Sequence, residues 1–446
     1  MLGSIVFFLL SALAIYLVIS KLSLSLRSLI LVTAPIVFII TFINTDFGLI
    51  ILIFSMLLSP EYKIAQASER AVVLRIDDIM ILVVFFTWLA KIAINKQLGL
   101  LKRTPLNRPI VAYILIAILS TFIGIVFGSV NPLKSSFYLL KYVEYFMLYF
   151  MVTNNVRDKK QIKIFVAALF ITCVLTSSYG LLTMGQQGGR ATAPFEGMEG
   201  GEPNTLGGYL VFLFAIAAGF FIYSPSPLWR CGYGALAGFI FFTLLHTLSR
   251  TSYLAFMFMF PALVLLTRKK KLLLLAILIL GIFIIPHLVP AKVTHRIKET
   301  FVPGKVYRPL GKRVVLDESA SERVETWNRV FDLWKKRPIL GYGVSGAGLI
   351  DSQYPLVLAE TGIIGLWIFI WLMIMLFKSG LRFYRTTQDD LERGLALGFL
   401  AGFIGLLVHS FGAATFIIVR IMEPFWFLAA IVIVLAEPKE LPEPPM

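Results

Sequence analysis

The chain has 446 residues, 58% of them hydrophobic and 15% charged, with a mean hydropathy of +0.85. A soluble domain of this length cannot hide so much apolar surface, so the composition excludes a soluble enzyme and points to a polytopic membrane protein. The net charge of +16 is divided among short loops, with no soluble basic domain. That excludes nucleic acid as the natural partner and favours anionic lipid headgroups or an anionic lipid-linked substrate.

In chain order, Leu2–Ile19 lacks a basic leader and a small-residue cleavage site, so it reads as a first span rather than a cleaved signal peptide. Residues 28–59 read either as two short spans broken at Asn44-Thr45-Asp46 or as one long kinked element. Apolar runs of about 17–23 residues then predict helices at 79–95, 109–128, 136–153, 163–184, 205–223, 229–247, 250–267 and 272–289. Three more follow at 356–377, 394–411 and 417–436. The expected fold is an all-α, polytopic membrane helical bundle of 12–14 transmembrane helices. Its parts are an N-terminal bundle (1–289), a large loop (290–355), C-terminal helices (356–436) and a tail (437–446).

Lys and Arg crowd the loops 96–108, 154–163, 268–271 and 378–393, which places these in the cytoplasm. The segments 60–78, 185–204, 290–355 and 412–416 then face outward. Segment 290–355 holds 12 Lys and Arg against 7 Asp and Glu. That excess reflects either a loop long enough to escape the charge rule or a surface facing phosphate or lipid. It reads as mostly helical, and Val324, Trp327, Val330, Phe331 and Trp334 recur at amphipathic spacing. Cys173 and Cys231 sit in or beside apolar spans and form no metal-ligand spacing. No Asp-x-Asp, His-x-x-x-His or phosphate loop is present, so no metal or other cofactor is expected.

Arg250, in His246-Thr247-Leu248-Ser249-Arg250, ends an apolar stretch on the outer face, where a charge is costly and usually functional. Arg190 follows Gly188-Gly189 and faces the same side. Guanidinium forks match phosphate oxygens, so the pair reads as a grip on a strongly anionic group. The bland alternative is snorkelling, or an ion pair with Glu202. Glu196, Glu199, Glu202 and Asn204 share the loop before the next span, and Glu202 is the best placed of the carboxylates to accept a proton.

Asp351-Ser352-Gln353-Tyr354 precedes another span. A partly desolvated Asp351 suits a general base, and equally suits a helix cap. Glu360 lies deeper and needs a polar partner. His409, Arg420 and Glu423 sit at the outer ends of the last helices. His409 is a candidate base, while Arg420 and Glu423 are spaced to pair with each other.

Four stretches in this order resemble the O-antigen ligase and polymerase family of bacterial membrane proteins. They are Gly189-Arg190-Ala191-Thr192 with Glu202-Pro203-Asn204-Thr205; Thr247-Leu248-Ser249-Arg250; Arg323-x-x-x-Trp327 with Arg337-Pro338-Ile339-Leu340-Gly341-Tyr342-Gly343; and Tyr354 through Glu360-Thr361-Gly362. With the span pattern, the resemblance covers nearly the whole chain. It implies an inverting, metal-independent glycosyltransferase of the bacterial inner membrane, with its site facing the periplasm. The implied donor is a glycan on undecaprenyl diphosphate. Ligases pass the glycan to lipid A–core, and polymerases pass it to another lipid-linked repeat. Arg190 and Arg250 match the positions that hold the diphosphate, with Arg420 as a further cation. Asp351, Glu202 and His409 are the catalytic candidates, supported by Asn204, Gln353, Tyr354 and Glu360. Many ligases carry a His-Asn pair where this chain has Asp351-Ser352. A transporter for an anionic lipid or solute is the alternative of another class, but no matching halves are visible.

Overall fold

The computed structural model describes residues 26–65, 72–94, 102–186, 188–195, 201–288, 305–307, 314–316 and 318–437. The expected first span Leu2–Ile19, the loop carboxylates Glu196 and Glu199, residues 289–304 of the large loop, and the tail from 438 lie outside them. Among the described residues there are fourteen α-helices and two short β-ribbons. Seven helices are long and apolar enough to cross a membrane, and shorter apolar helices accompany them. The architecture is an all-α polytopic membrane protein.

The first helices are α1 (Leu26–Ile43) and α2 (Thr45–Leu58). Of the two readings of residues 28–59, the broken one holds: Asn44 stands between the helices in extended conformation, and its side chain accepts from Asp46 N. A ribbon of β1 (Glu61–Ala65) and β2 (Val72–Arg75) follows, so the segment at 60–78 expected to face outward contains paired chain. Then come α3 (Ile76–Ile94), α4 (Asn107–Val126), α5 (Pro132–Asn155), α6 (Lys159–Thr183) and α7 (Pro203–Tyr223). They are followed by α8 (Pro227–His246), α9 (Arg250–Leu266) and α10 (Lys271–Leu288). The large loop contributes a second ribbon, β3 (Lys305–Tyr307) with β4 (Val314–Leu316), and the amphipathic helix α11 (Glu318–Lys336). The chain ends in α12 (Gln353–Thr386), α13 (Asp390–His409), a 3-10 turn (Thr415–Ile417) and α14 (Val419–Ala436).

Helix α7 is the axis of the bundle, with 94% of its span buried against 17% for α8. It lies against α13 along a glycine seam. A Cβ on Gly398 would stand 2.6 Å from Ala215 O, and one on Gly402 would stand 2.7 Å from the Phe212 ring. In a membrane, where lipid is as apolar as leucine, helices associate through such close packing of small residues.

Helix α12 extends nine residues beyond the expected 356–377, to Thr386, and it is broken at Gly362, whose φ is +66°. The break frees backbone groups that must find partners at this depth. Segment 338–343 supplies them: Tyr342 N donates to Ala359 O, Gly343 N to Glu360 O and Ile363 N to Pro338 O, all at 2.9 Å. The Arg337–Gly343 and Glu360–Gly362 motifs, far apart in sequence, are therefore one structural unit.

The bundle has a basic end and an opposite end. At the basic end Lys159 pairs with Asp389 and Glu392, and Lys269 with Asp390. The opposite end gathers the chain around residues 190–195, 201–204, 247–250, 337–354 and 409–420.

Candidate functional site

These stretches meet at the opposite end. Ala191 N donates to His246 O at 2.8 Å. Arg190 reaches the same turn, donating from Nε to Thr247 O (3.2 Å) and from Nη2 to Leu248 O (3.3 Å). Leu248 takes a left-handed φ of +52°, a conformation costing a non-glycine residue about 1–2 kcal/mol. Arg190 thus braces a strained turn, and the next two residues are Ser249, which caps α9, and Arg250, its first residue. Arg190 and Arg250 are both half-buried.

The Ser249 cap carries a further chain of hydrogen bonds. Ser249 Oγ lies 2.6 Å from Asn204 Oδ1 and 2.8 Å from Ser252 Oγ. Ser252 Oγ is 3.3 Å from His409 Nε2, and His409 Nδ1 is 2.9 Å from Thr415 Oγ1. Ser249, Ser252, His409 and Thr415 are all buried. Glycine permits this crossing: a Cβ on Gly207 would strike the Ser252 hydroxyl, and one on Gly208 would lie 3.1 Å from His409 Cε1.

The same loop receives the start of α12. Ser352 Oγ donates to Phe411 O (2.8 Å), Gln353 N to Ser410 O (3.0 Å), and Gln353 Oε1 accepts from Phe416 N (2.8 Å). Tyr354 OH donates to Leu407 O at 2.7 Å. Gln353 and Tyr354 therefore bolt the helix start to the loop behind His409. Asp351, just before them, is exposed rather than partly desolvated as expected. Glu202 is also exposed, at the start of α7.

Two further expectations change, and a third is met. His409 was expected as a candidate base, yet it is fully buried with both ring nitrogens engaged, so it has neither access to substrate nor a free lone pair. Arg420 does not pair with Glu423. Its guanidinium is buried and donates to Leu57 O, Pro194 O, Phe195 O and Glu61 Oε1, so it clamps the end of the Arg190 segment to the top of α2. Glu360 has the polar partners its depth requires: Tyr142 OH donates to Oε2 at 3.0 Å and Ser345 N to Oε1 at 2.7 Å. It holds loop 337–346 onto α5.

A second polar cluster was missed by sequence reasoning. Arg75 pairs with Asp77, and Lys141 pairs with Asp78 and Glu144. Ser59 Oγ donates to Asp77 Oδ1 at 2.8 Å, and Arg75 Nη2 donates to Met56 O at 2.6 Å. Glu423 is fully buried beside this group, with no hydrogen bond to either carboxylate oxygen among the described residues. The available signal was Lys141 and Glu144, two charges inside an apolar run, which at membrane depth call for partners. Arg323 was likewise not singled out as a site residue, although its charge is near enough to be felt at His409.

A bundle with cations, exposed carboxylates and a braced turn at one end defines a class: a multi-pass membrane protein with a polar site at one mouth. Within that class, the family model described as O-antigen ligase matches residues 235–370. The match marks the chain as similar to an O-antigen ligase-related family over those residues. It runs from the middle of α8 through the first half of α12, and so contains Arg250, Asp351 and Glu360. No curated protein matches the chain.

Proposed function

We propose that the chain is an O-antigen ligase-type glycosyltransferase of the bacterial inner membrane. It moves a glycan from undecaprenyl diphosphate to an acceptor hydroxyl, such as that of lipid A–core, at the periplasmic face. The observation that carries this reading is the joined arginine motif: Arg190 braces the turn that presents Arg250 at the mouth of the bundle, inside a chain matched by the O-antigen ligase family.

In the proposed reaction the acceptor oxygen attacks the anomeric carbon from the face opposite the diphosphate. The carbon–oxygen bond to the diphosphate breaks, and its electron pair leaves with undecaprenyl diphosphate. Arg250, positioned by Arg190, stabilises the charge that grows on the leaving group, the kind of preorganised electrostatic help that dominates many catalysts. Asp351 takes the acceptor's proton, with Glu202 as the second exposed carboxylate at this mouth. Arg420, Gln353, Tyr354 and Glu360 hold the frame.

The test is transfer by purified protein in vesicles. Arg250→Ala is expected to lower transfer by about 10²–10³-fold, the usual loss for one charge-stabilising group, with expression unchanged. Wild-type transfer by that variant would remove the donor site. Supplying lipid A–core or a second lipid-linked repeat as acceptor separates ligase from polymerase.

A further inference from the structure

The chain of hydroxyls behind Arg250 has a direction. Each member has one proton to give, so fixing one bond fixes the rest. Thr415 Oγ1 stands 2.9 Å from His409 Nδ1 and 3.3 Å from Ala413 O, so the ring is the nearer acceptor for its proton. The ring is then protonated on Nε2, and that N–H faces Ser252 Oγ (3.3 Å) and the Asn204 backbone carbonyl together. Ser252 donates to Ser249 (2.8 Å), and Ser249 donates to Asn204 (2.6 Å). The last distance, 2.6 Å, lies in the usual range for O–H···O. Ser249 Oγ also accepts from Ser252 N at 3.2 Å, which uses its remaining lone pair.

The relay therefore ends on the carbonyl oxygen of the Asn204 amide. A side-chain amide has two ends, one accepting and one donating, and the accepting end is taken. The NH2 end of half-buried Asn204 makes no hydrogen bond to another described residue.

We propose that Asn204 is an oxyanion-binding residue whose NH2 group, held outward by the Thr415–His409–Ser252–Ser249 relay, binds the same diphosphate as Arg250. The proposal rests on the donor-site reading above. His409 and Thr415 are positioning residues in it. They touch no substrate, and they keep the amide from turning its carbonyl oxygen toward an anion.

The probe is undecaprenyl diphosphate, titrated against the full chain in nanodiscs. Asn204→Asp still accepts from Ser249 but loses both N–H donors and adds a like charge, so binding should weaken by more than about tenfold. Thr415→Val keeps the shape and removes the first proton of the relay. Binding should weaken roughly three- to tenfold, the worth of one ordinary hydrogen bond. Thr415→Ser restores the hydroxyl and should bind within about twofold of wild type; a merely structural role for Thr415 predicts no such rescue. Ser252→Ala, which removes the hydroxyl in the middle of the relay, should match Thr415→Val and covers the case in which that variant fails to fold. Wild-type affinity in Asn204→Asp, or in both Thr415→Val and Ser252→Ala, while Arg250→Ala binds weakly, overturns the relay alone. Wild-type affinity in Arg250→Ala overturns the donor site and the relay with it.

Discussion

At the scale of single residues, the arginines at this mouth divide their labour by what their guanidinium groups touch. Arg190 spends two donors on the carbonyls of Thr247 and Leu248, and a lysine cannot span both, because its ammonium is a point charge without the fork. Arg190→Lys is expected to cut transfer by at least about tenfold through loosening of the turn. A transfer assay checks this, with undiminished activity as the contrary result. Glu360 is a residue of the frame: Glu360→Ala would strand Tyr142 OH and Ser345 N in a buried place, at about 1–3 kcal/mol for each unmet group. The loss should show as a lowered unfolding midpoint in detergent.

The place of Arg250 was legible from the sequence alone, as a charge ending an apolar run. That of His409 was not. A histidine at a helix end looks like a base in sequence, and only the arrival of Ser252 from α9 and Thr415 from the next turn shows both nitrogens occupied.

Between elements, two devices decide how the helices sit. The seam of α7 on α13 depends on backbones approaching through glycine, and the spacing Gly394-x-x-x-Gly398-x-x-x-Gly402 marks it in the sequence once small residues are read as contacts rather than as gaps. A methyl on Gly219 would land on the carbonyl of Gly394. Gly219→Ala is therefore expected to cost about 1–3 kcal/mol by overpacking, measured by thermal unfolding in nanodiscs; an unchanged midpoint would show that the seam yields.

The buried ion cluster is the second device. Removing Arg75 leaves Asp77 charged and unpaired, so Arg75→Ala should destabilise by about 3–5 kcal/mol. Glu423→Gln, which takes a charge from an oversupply of carboxylates, should be neutral or stabilising. The meeting of β2, α3, α5 and α14 at this cluster is a tertiary event, and local pattern shows only that Lys141 and Glu144 need partners, not which ones.

At the basic end, Asp389 shows the opposite balance. Burial raises its pKa, but the hydrogen bond from Lys159, the backbone donors of Glu392 and Leu391 and the charge of Lys159 outweigh it and leave the pKa below the usual value. A depressed carboxylate contributes stability above its unfolded pKa of about 4 and loses it as pH falls through the folded value. The junction of α6 with α13 should thus weaken in acid, and Asp389→Asn should remove that part of the pH dependence of unfolding.

For the whole molecule, the span pattern was legible because lipid imposes length and apolarity on each helix separately. Predicted boundaries from α3 to α14 fall within a few residues of the observed ones, except where α12 runs on to Thr386. That extension carries Lys378, Arg382 and Arg385, which read as a basic loop, because a helix projecting beyond the membrane no longer needs apolar residues.

What the chain pattern could not show is the folding of four distant stretches onto one mouth, with Arg190 against Leu248, Asn204 against Ser249, His409 against Ser252, and Gln353 against Phe416. Each motif alone is a few common residues. Their junction is what makes a site, and it places the cations, the exposed carboxylates and the broken α12 at the same end.

The most direct test of this account gives purified protein in vesicles an undecaprenyl-diphosphate-linked glycan and an acceptor hydroxyl, and follows glycan transfer with release of undecaprenyl diphosphate. The account predicts equal amounts of glycosylated acceptor and released undecaprenyl diphosphate, with inversion at the anomeric carbon and a loss of about 10²–10³-fold in Arg250→Ala. Movement of the lipid-linked glycan across the bilayer with no glycosylated product, or full transfer by Arg250→Ala, would contradict it.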